Sequence, residues 1–240
     1  MSAPRTRPAA AQRHYFSRAA DSAAETFTYR LEFAGRSYDW VSAHGVFSKE
    51  QLDFGSRLLL ETAVLPSGGR ILDLGCGTGC VGLLALTVVP PPAWACLSDI
   101  SDHALACAGQ NRERLGLTAS VGLVQAELLT AFKTGVFDTV LFNPPIRAGK
   151  APILETLAEM PRVLRPGGIV WVVVRIQQGA KSLLAHLEKV FPGRARAVAR
   201  RKGYLVLRAG GPTTDDMSAQ CPETGGVSLP IARHPPEPVS

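Results

Sequence analysis

The sequence predicts an α/β protein built on a doubly wound, mostly parallel sheet of seven strands, Rossmann-like, with a β-hairpin on its N-terminal side. Two observations carry this. Short apolar runs alternate with segments of helical apolar spacing between residues 70 and 191. A glycine-rich turn, "LDLGCGTG", stands where the first of those runs passes into the first of those helical segments.

The elements follow in order. "FTYRLEFAGRSYDWVS" alternates and carries Ala34-Gly35 at its centre, which predicts the hairpin. "QLDFGSRLLLETA" has helical spacing. "RILDLG" is a strand, "TGCVGLLALTVV" a helix and "AWACLSD" a strand. "SDHALACAGQNRERLG" is a helix opened by a Ser cap. "ASVGLVQA" and "FDTVLFN" are strands, and "GKAPILETLAEMPRVL" is a helix with Pro152 near its first turn. "GGIVWVVVR" is a fully buried strand and "GAKSLLAHLEKVF" a helix. "RARAVARR" and "GYLVLRA" form a closing antiparallel pair.

The folded region is expected over residues 21–209. Residues 1–20 are rich in Ala, Arg and Pro and read as a disordered basic arm; 210–240, with repeated Gly and Pro, read as a disordered tail. The chain has 240 residues and no apolar stretch of membrane-span length, so no membrane role is expected. Five cysteines lack the paired spacing of a metal site and read as reduced, mostly buried thiols of a cytoplasmic protein. The net charge is +6, and it is not evenly spread. Residues 147–208 hold thirteen Arg or Lys against three Glu, which suits an anionic partner such as nucleic acid.

The glycine-rich turn is the first candidate site. Ligands of doubly wound sheets bind at the carboxyl ends of strands near the switch point. Gly75, Gly77 and Gly79 allow a tight turn and a close backbone approach. Asp73 precedes them; an acid there repels a pyrophosphate but receives a cationic amino group. Asp99 ends the second strand of the sheet, where a carboxylate can accept ribose hydroxyls, and Glu127 follows the third and can reach an adenine amine. A nucleoside with an amino-acid tail and no phosphate fits this set, as S-adenosylmethionine does. The candidate cofactor residues are Asp73, Gly75, Cys76, Gly77, Gly79, Asp99, Ile100, Glu127 and Asn143.

The second candidate is Asn143-Pro144-Pro145, which ends a strand abruptly. Two prolines cannot donate to a ladder and each fixes its own φ, so the turn is rigid and poor in donors beside one amide. Arg147 and Lys150 follow; they grip phosphates or simply open a solvated helix. Arg200, Arg201 and Lys202 extend the basic surface or form a plain charged turn, and Lys49 is open to the same two readings.

The glycine-rich turn resembles motif I of class I methyltransferases, and "NPP" after the fourth strand of the sheet resembles the amino-methylating subset. With "GVFSKEQLDFGSRLLLE", "FNPPIRAGK" and "QGAKSL", the chain over roughly 14–208 is similar to the small ribosomal subunit RNA guanine-N2 methyltransferase family, in its compact single-domain branch. The resemblance implies S-adenosylmethionine as cofactor and the N2 amine of a guanine in ribosomal RNA, free or in the assembled small subunit, as acceptor. It implies that Asn143 and the Pro144 carbonyl accept hydrogen bonds from that amine, with Pro145 stiffening the turn. Many adenine-N6 enzymes carry an aromatic residue after the two prolines; here that position is Ile146, so base stacking falls to Phe47. Longer family members add an N-terminal domain that helps with substrate. Without one, substrate engagement rests on the basic surface, the arm and the hairpin. Two other readings compete: methylation of a protein glutamine amide or another amine, and a non-catalytic RNA-binding or assembly protein.

Overall fold

The computed structural model describes residues 25–46, 51–89, 93–145 and 149–211, and the backbone of 226–228. The expected basic arm, Phe47, Lys49, Ile146, Arg147 and most of the expected tail lie outside the described residues.

The hairpin forms as expected. β1 (Thr26–Phe33) and β2 (Arg36–Ala43) pair antiparallel about Ala34-Gly35. Both turn residues have positive φ, 52° and 73°, the geometry whose twist matches the flanking strands. α1 (Phe54–Thr62) follows, its start set by Asp53, whose carboxylate accepts the Ser56 amide. The main sheet then builds from β4 (Arg70–Leu74), β5 (Trp94–Asp99), β6 (Val121–Gln125), β7 (Phe137–Phe142), β8 (Leu164–Arg175), β9 (Ala195–Arg201) and β10 (Tyr204–Gly210). Its order is β6-β5-β4-β7-β8-β10-β9. The first five strands in that order run parallel, and β10 enters antiparallel between β8 and β9. The switch point therefore lies between β4 and β7, the strands that lead into the glycine-rich turn and Asn143.

α2 (Cys80–Val88), α3 (Asp102–Arg114), α4 (Lys150–Val163) and α5 (Ala180–Val190) connect these strands. Ser101 caps α3 by accepting the Ala104 amide. Pro161 lies inside α4, a position the sequence reading did not single out. A short β3 (Val64–Pro66), also unforeseen, pairs with β11 (Gly226–Ser228). Three residues of the C-terminal stretch thus take strand geometry, which its Gly- and Pro-rich composition does not anticipate.

Alternation along the strands divides the core into two layers. Leu72, Val140, Phe142, Val172 and Val174 pack with α4 and α5. Ile71, Leu141, Trp171 and Val173 pack with α1, α2 and the hairpin. Continuing that alternation sends Asp73, Asn143 and Arg175 to the second face, beneath α1 and α2. The hairpin docks on this same face. Leu31, Phe33 and Trp40 are buried there. The indole of Trp40 donates to Thr78 Oγ1 at 3.0 Å, and buried Asn111 accepts the Val41 amide at 2.7 Å while donating to the Val41 and Thr78 carbonyls.

Candidate active site

The glycine-rich turn is held by its neighbours before any ligand is considered. The amides of Gly75 and Cys76 donate to the Ser98 carbonyl at 2.8 and 3.0 Å, and the Gly77 amide donates to Asp99 Oδ2 at 2.8 Å. Asp99 Oδ1 accepts the Ser101 amide at 2.9 Å. Each Asp99 oxygen thus holds one amide and keeps capacity for a second donor. Asp73 is 3% exposed, and its Oδ2 accepts the Gly82 amide of α2 at 2.7 Å. Burial pushes the Asp73 carboxyl up to about 7; the Gly82 amide opposes that rise and the Asp99 charge adds to it.

The glycines divide by what a side chain would meet. Gly75 and Gly77 have φ of 68° and 55°, and an added Cβ would have nothing within 4 Å. They leave open space beside the backbone of the turn. Gly79 is different, since a Cβ would stand 2.8 Å from Leu83 and Leu97. At Gly82 it would stand 2.8 Å from Leu97 and 2.9 Å from the Asp73 Cβ. These two allow helix, strand and acid to pack. Gly82 escaped the sequence reading, although it lies three residues beyond the last glycine of the motif.

Around the turn, Asp99 is half-buried and Ile100 is 36% exposed, an apolar side chain left open next to it in sequence. Glu127 stands just past β6, exposed, and the adjoining Ala126 amide bonds the Asp99 carbonyl at 3.1 Å. Its own carbonyl accepts from Thr130. The chemistry of this set suits S-adenosylmethionine: acids for an ammonium and ribose hydroxyls, an apolar face for adenine, and glycines where backbone must pass close. The Cys76 thiol is buried, and burial, with Asp73 and Asp99 nearby, raises it well above its ordinary range. It is a neutral wall of the site rather than a nucleophile.

Asn143 follows β7 on the same face. Its Nδ2 donates to Ser56 Oγ of α1 at 3.0 Å. Ser56 is buried and was not assigned a role from sequence. The one available signal was a small polar residue amid the buried positions Gly55, Leu58 and Leu59. Because the amide nitrogen is turned to Ser56, Oδ1 is left as the outward acceptor, without a hydrogen-bond partner among the described residues. Pro144 is buried and Pro145 exposed, so the turn is anchored at one proline and open at the other. Lys150 is the exposed first residue of α4, without an ion pair among the described residues. Phe47, Ile146 and Arg147 lie outside the described residues, so the structure does not place them.

Comparison with known proteins agrees with this fold. Residues 37–208 match the family described as Methyltransferase small domain. An uncharacterized protein of Bacillus subtilis, YbxB, is 32% identical over 82% of this chain and 97% of its own length. A ribosomal RNA large subunit methyltransferase G of Streptomyces coelicolor is 34% identical over 70% of this chain, and a ribosomal RNA small subunit methyltransferase C of Mannheimia succiniciproducens 36% over 61%. The chain spans 45% and 44% of those two enzymes, less than half of each. Among solved structures, the T. thermophilus 16S rRNA N2 G1207 methyltransferase, in complex with AdoMet and guanosine, superposes with a TM-score of 0.66 at 22% identity, over 78% of this chain and 51% of that one. No helix among the described residues is long and apolar enough to cross a membrane.

Proposed function

Because the chain belongs to the methyltransferase small domain family, we propose that it moves a methyl group from S-adenosylmethionine to the exocyclic N2 amine of a guanine in small-subunit ribosomal RNA. The observation that carries this is the pairing of Asn143 Nδ2 with Ser56 Oγ, at the strand end next to the open glycine turn.

An exocyclic amine of a base is a poor nucleophile, since its lone pair is delocalised into the ring. Asn143 Oδ1 and the Pro144 carbonyl are fixed acceptors for its two hydrogens. Holding them turns the lone pair away from the ring and toward the glycine turn. The bond to Ser56 Oγ anchors the Asn143 amide beside α1, with Oδ1 outward. The gain is one of positioning and preorganised electrostatics. No general base is required, because nitrogen becomes acidic once it carries the new bond, and its proton passes to the acceptors or to water. Asp73, Asp99, Ile100 and the glycine turn would hold the cofactor, which when bound supplies an electrophilic methyl on a sulfonium. Duplex stacking would bury the N2 amine, so the target guanine is taken unpaired or flipped. Ribosomal RNA, free or assembled, is the partner in this reading, and the cytoplasm its place of action.

Methyltransferases of both subunits stand among the relatives, so the test must be open to either. Incubation with labelled cofactor and unmodified small and large subunits, with RNA and protein fractions separated, is followed by nucleoside analysis. Label in N2-methylguanosine from the small subunit supports the proposal. Label in the large subunit, in protein or in another nucleoside overturns it.

A further inference from the structure

A basic and aromatic cluster lies beside Asn143 and is used by nothing described so far. Arg175 ends β8 and Tyr204 opens β10, and the two are register partners. The Arg175 guanidinium lies 4.8 Å from the Tyr204 ring centroid, and its Nε donates to the Tyr204 hydroxyl at 2.8 Å. Both contacts fix the plane of the guanidinium. Its two terminal nitrogens have no hydrogen-bond partner among the described residues. Next in the cluster, the Tyr204 ring sits 5.6 Å from that of Phe54. The Lys202 ammonium lies 5.2 Å over Phe54, at the exposed turn between β9 and β10.

This cluster adjoins the acceptor site. α1 touches Asn143 through Ser56 and Tyr204 through Phe54, two residues earlier. In the sheet, Phe142 is level with Val172, so Arg175 lies three residues farther toward the carboxyl edge, one strand over. The acids nearby are already engaged. Glu61 pairs with Arg201 at 2.8 Å, and Asp53 caps α1. Arg175, Arg200 and Lys202 have no ion pair among the described residues.

Lys202 adds an independent sign. It holds φ of 46° in a two-residue turn with Gly203, a conformation that Asn or Gly takes at less cost. What Lys offers there and they do not is a cation.

We propose that Arg175 and Lys202 grip consecutive phosphates of the single-stranded RNA that flanks the target nucleotide, with Tyr204 as the residue that orients the Arg175 fork. A planar guanidinium with two free edge donors matches a phosphate in two-point fashion. Its place beside Asn143 means that a strand held there presents its neighbouring base to the amide. The inference rests on the methyl-transfer reading for its consequence, although the grip itself is measured by binding alone.

The experiment is fluorescence anisotropy with a labelled single-stranded RNA oligonucleotide across a salt series, alongside calorimetry with S-adenosylmethionine. Each phosphate contact contributes a slope of about 0.7 to log K against log salt on a single strand. Arg175→Ala with Lys202→Ala is expected to lower the slope by about 1.4 and weaken RNA binding by tenfold or more at low salt, with cofactor affinity unchanged. Tyr204→Phe keeps the ring and removes the hydroxyl; it is expected to weaken RNA binding severalfold, raising KM for RNA with kcat intact. A folded double variant with the wild-type slope overturns the grip, even where the wild type methylates RNA. A wild type that binds RNA through these residues and methylates none retains the grip and overturns the methyl-transfer reading. A wild type without salt-dependent RNA affinity overturns the grip outright.

Discussion

On the β4–β5 side of the sheet's carboxyl edge, the carboxylates already accept backbone amides: Asp73 from Gly82, Asp99 from Gly77 and Ser101. On the β7–β8–β10 side, Asn143 Oδ1, the outer nitrogens of Arg175 and the Lys202 ammonium have no hydrogen-bond partner among the described residues. The first side is a built socket, whose carboxylates are oriented by the fold, Asp73 buried and Asp99 half-buried. The second is an array of oriented but unspent donors and acceptors. A cofactor of constant shape can be met by a rigid socket. An acceptor that is one base in a long chain needs groups that stay ready until it arrives. The prediction is that changes on the first side alter affinity for the cofactor and stability, while changes on the second alter turnover and RNA affinity.

The sharpest break comes at Asn143. Asn143→Ala is expected to slow single-turnover transfer to RNA on the order of 10²–10³-fold at saturating cofactor, as losing one preorganised polar group does. Cofactor affinity should stay near wild type. The loss should fall on kcat more than KM if Oδ1 acts mainly in the transition state. A folded Asn143→Ala protein with wild-type single-turnover rate would return the Asn-Pro-Pro turn to a structural role.

Asp99→Ala tests the other side. Loss of a charged acceptor is expected to weaken S-adenosylmethionine binding by ~1.5–3 kcal/mol. Because Asp99 also holds the Gly77 and Ser101 amides, part of that loss will come through a looser turn. Asp99→Asn keeps an acceptor for one amide and should fall between wild type and Asp99→Ala in calorimetry. Unchanged affinity in a folded Asp99→Ala protein removes Asp99 from the cofactor site.

Asp73 couples the socket to pH. Its carboxyl is raised to about 7, so from the ordinary carboxylate range up to that value the folded chain keeps a proton that the unfolded chain has released. Its contribution to stability is therefore intact at the acid end of that window, declines as pH rises through it, and levels off above about 7. Asp73→Asn cannot ionise. Urea midpoints of wild type and Asp73→Asn should change relative to each other between pH ~4 and ~7, with the variant gaining on wild type as pH rises. Parallel profiles would mean that Asp73 ionises in the fold as it does unfolded. Cofactor affinity moves oppositely, since Asn offers no charge to an ammonium.

The two sides also differ in how legible they were in the sequence. Asp73, the glycines and Asp99 sit at strand ends within one short motif or at the end of the next strand, where strand period and loop position locate them. Asn143 was marked by its prolines. Their partners were not marked. Ser56 lies 87 residues from Asn143, Asn111 lies 70 from Val41, and Tyr204 lies 29 from Arg175. Those bonds depend on which helix covers which strand and on β10 entering between β8 and β9, and no local pattern encodes either. The hairpin was foreseen as a hairpin and given a share in substrate engagement; its contact with the glycine turn, through Trp40, Asn111 and Thr78, was not foreseen. β3 was too short, at three residues, for any periodicity to show.

The smallest effect compares two turns of one geometry. Ala34-Gly35 joins β1 to β2, and Lys202-Gly203 joins β9 to β10; each is a two-residue turn with positive φ at both positions. A Cβ in that region carries a steric cost that Asn offsets by local hydrogen bonding and Gly avoids. Ala34→Asn is expected to stabilise the protein by about 0.5–1 kcal/mol, the scale of such backbone relief. Lys202→Asn relieves the same strain and should stabilise similarly, less what the ammonium gains over the Phe54 ring, about 0.5 kcal/mol at an exposed site. Thermal or urea unfolding checks both. The two variants part in RNA binding: Ala34→Asn should leave the salt slope alone, whereas Lys202→Asn should lower it by about 0.7. Equal slopes in both would show that Lys202 is an ordinary turn residue whose strain serves nothing, and would leave the Arg175 donors and the Asn143 Oδ1 acceptor as the unspent groups of the acceptor side.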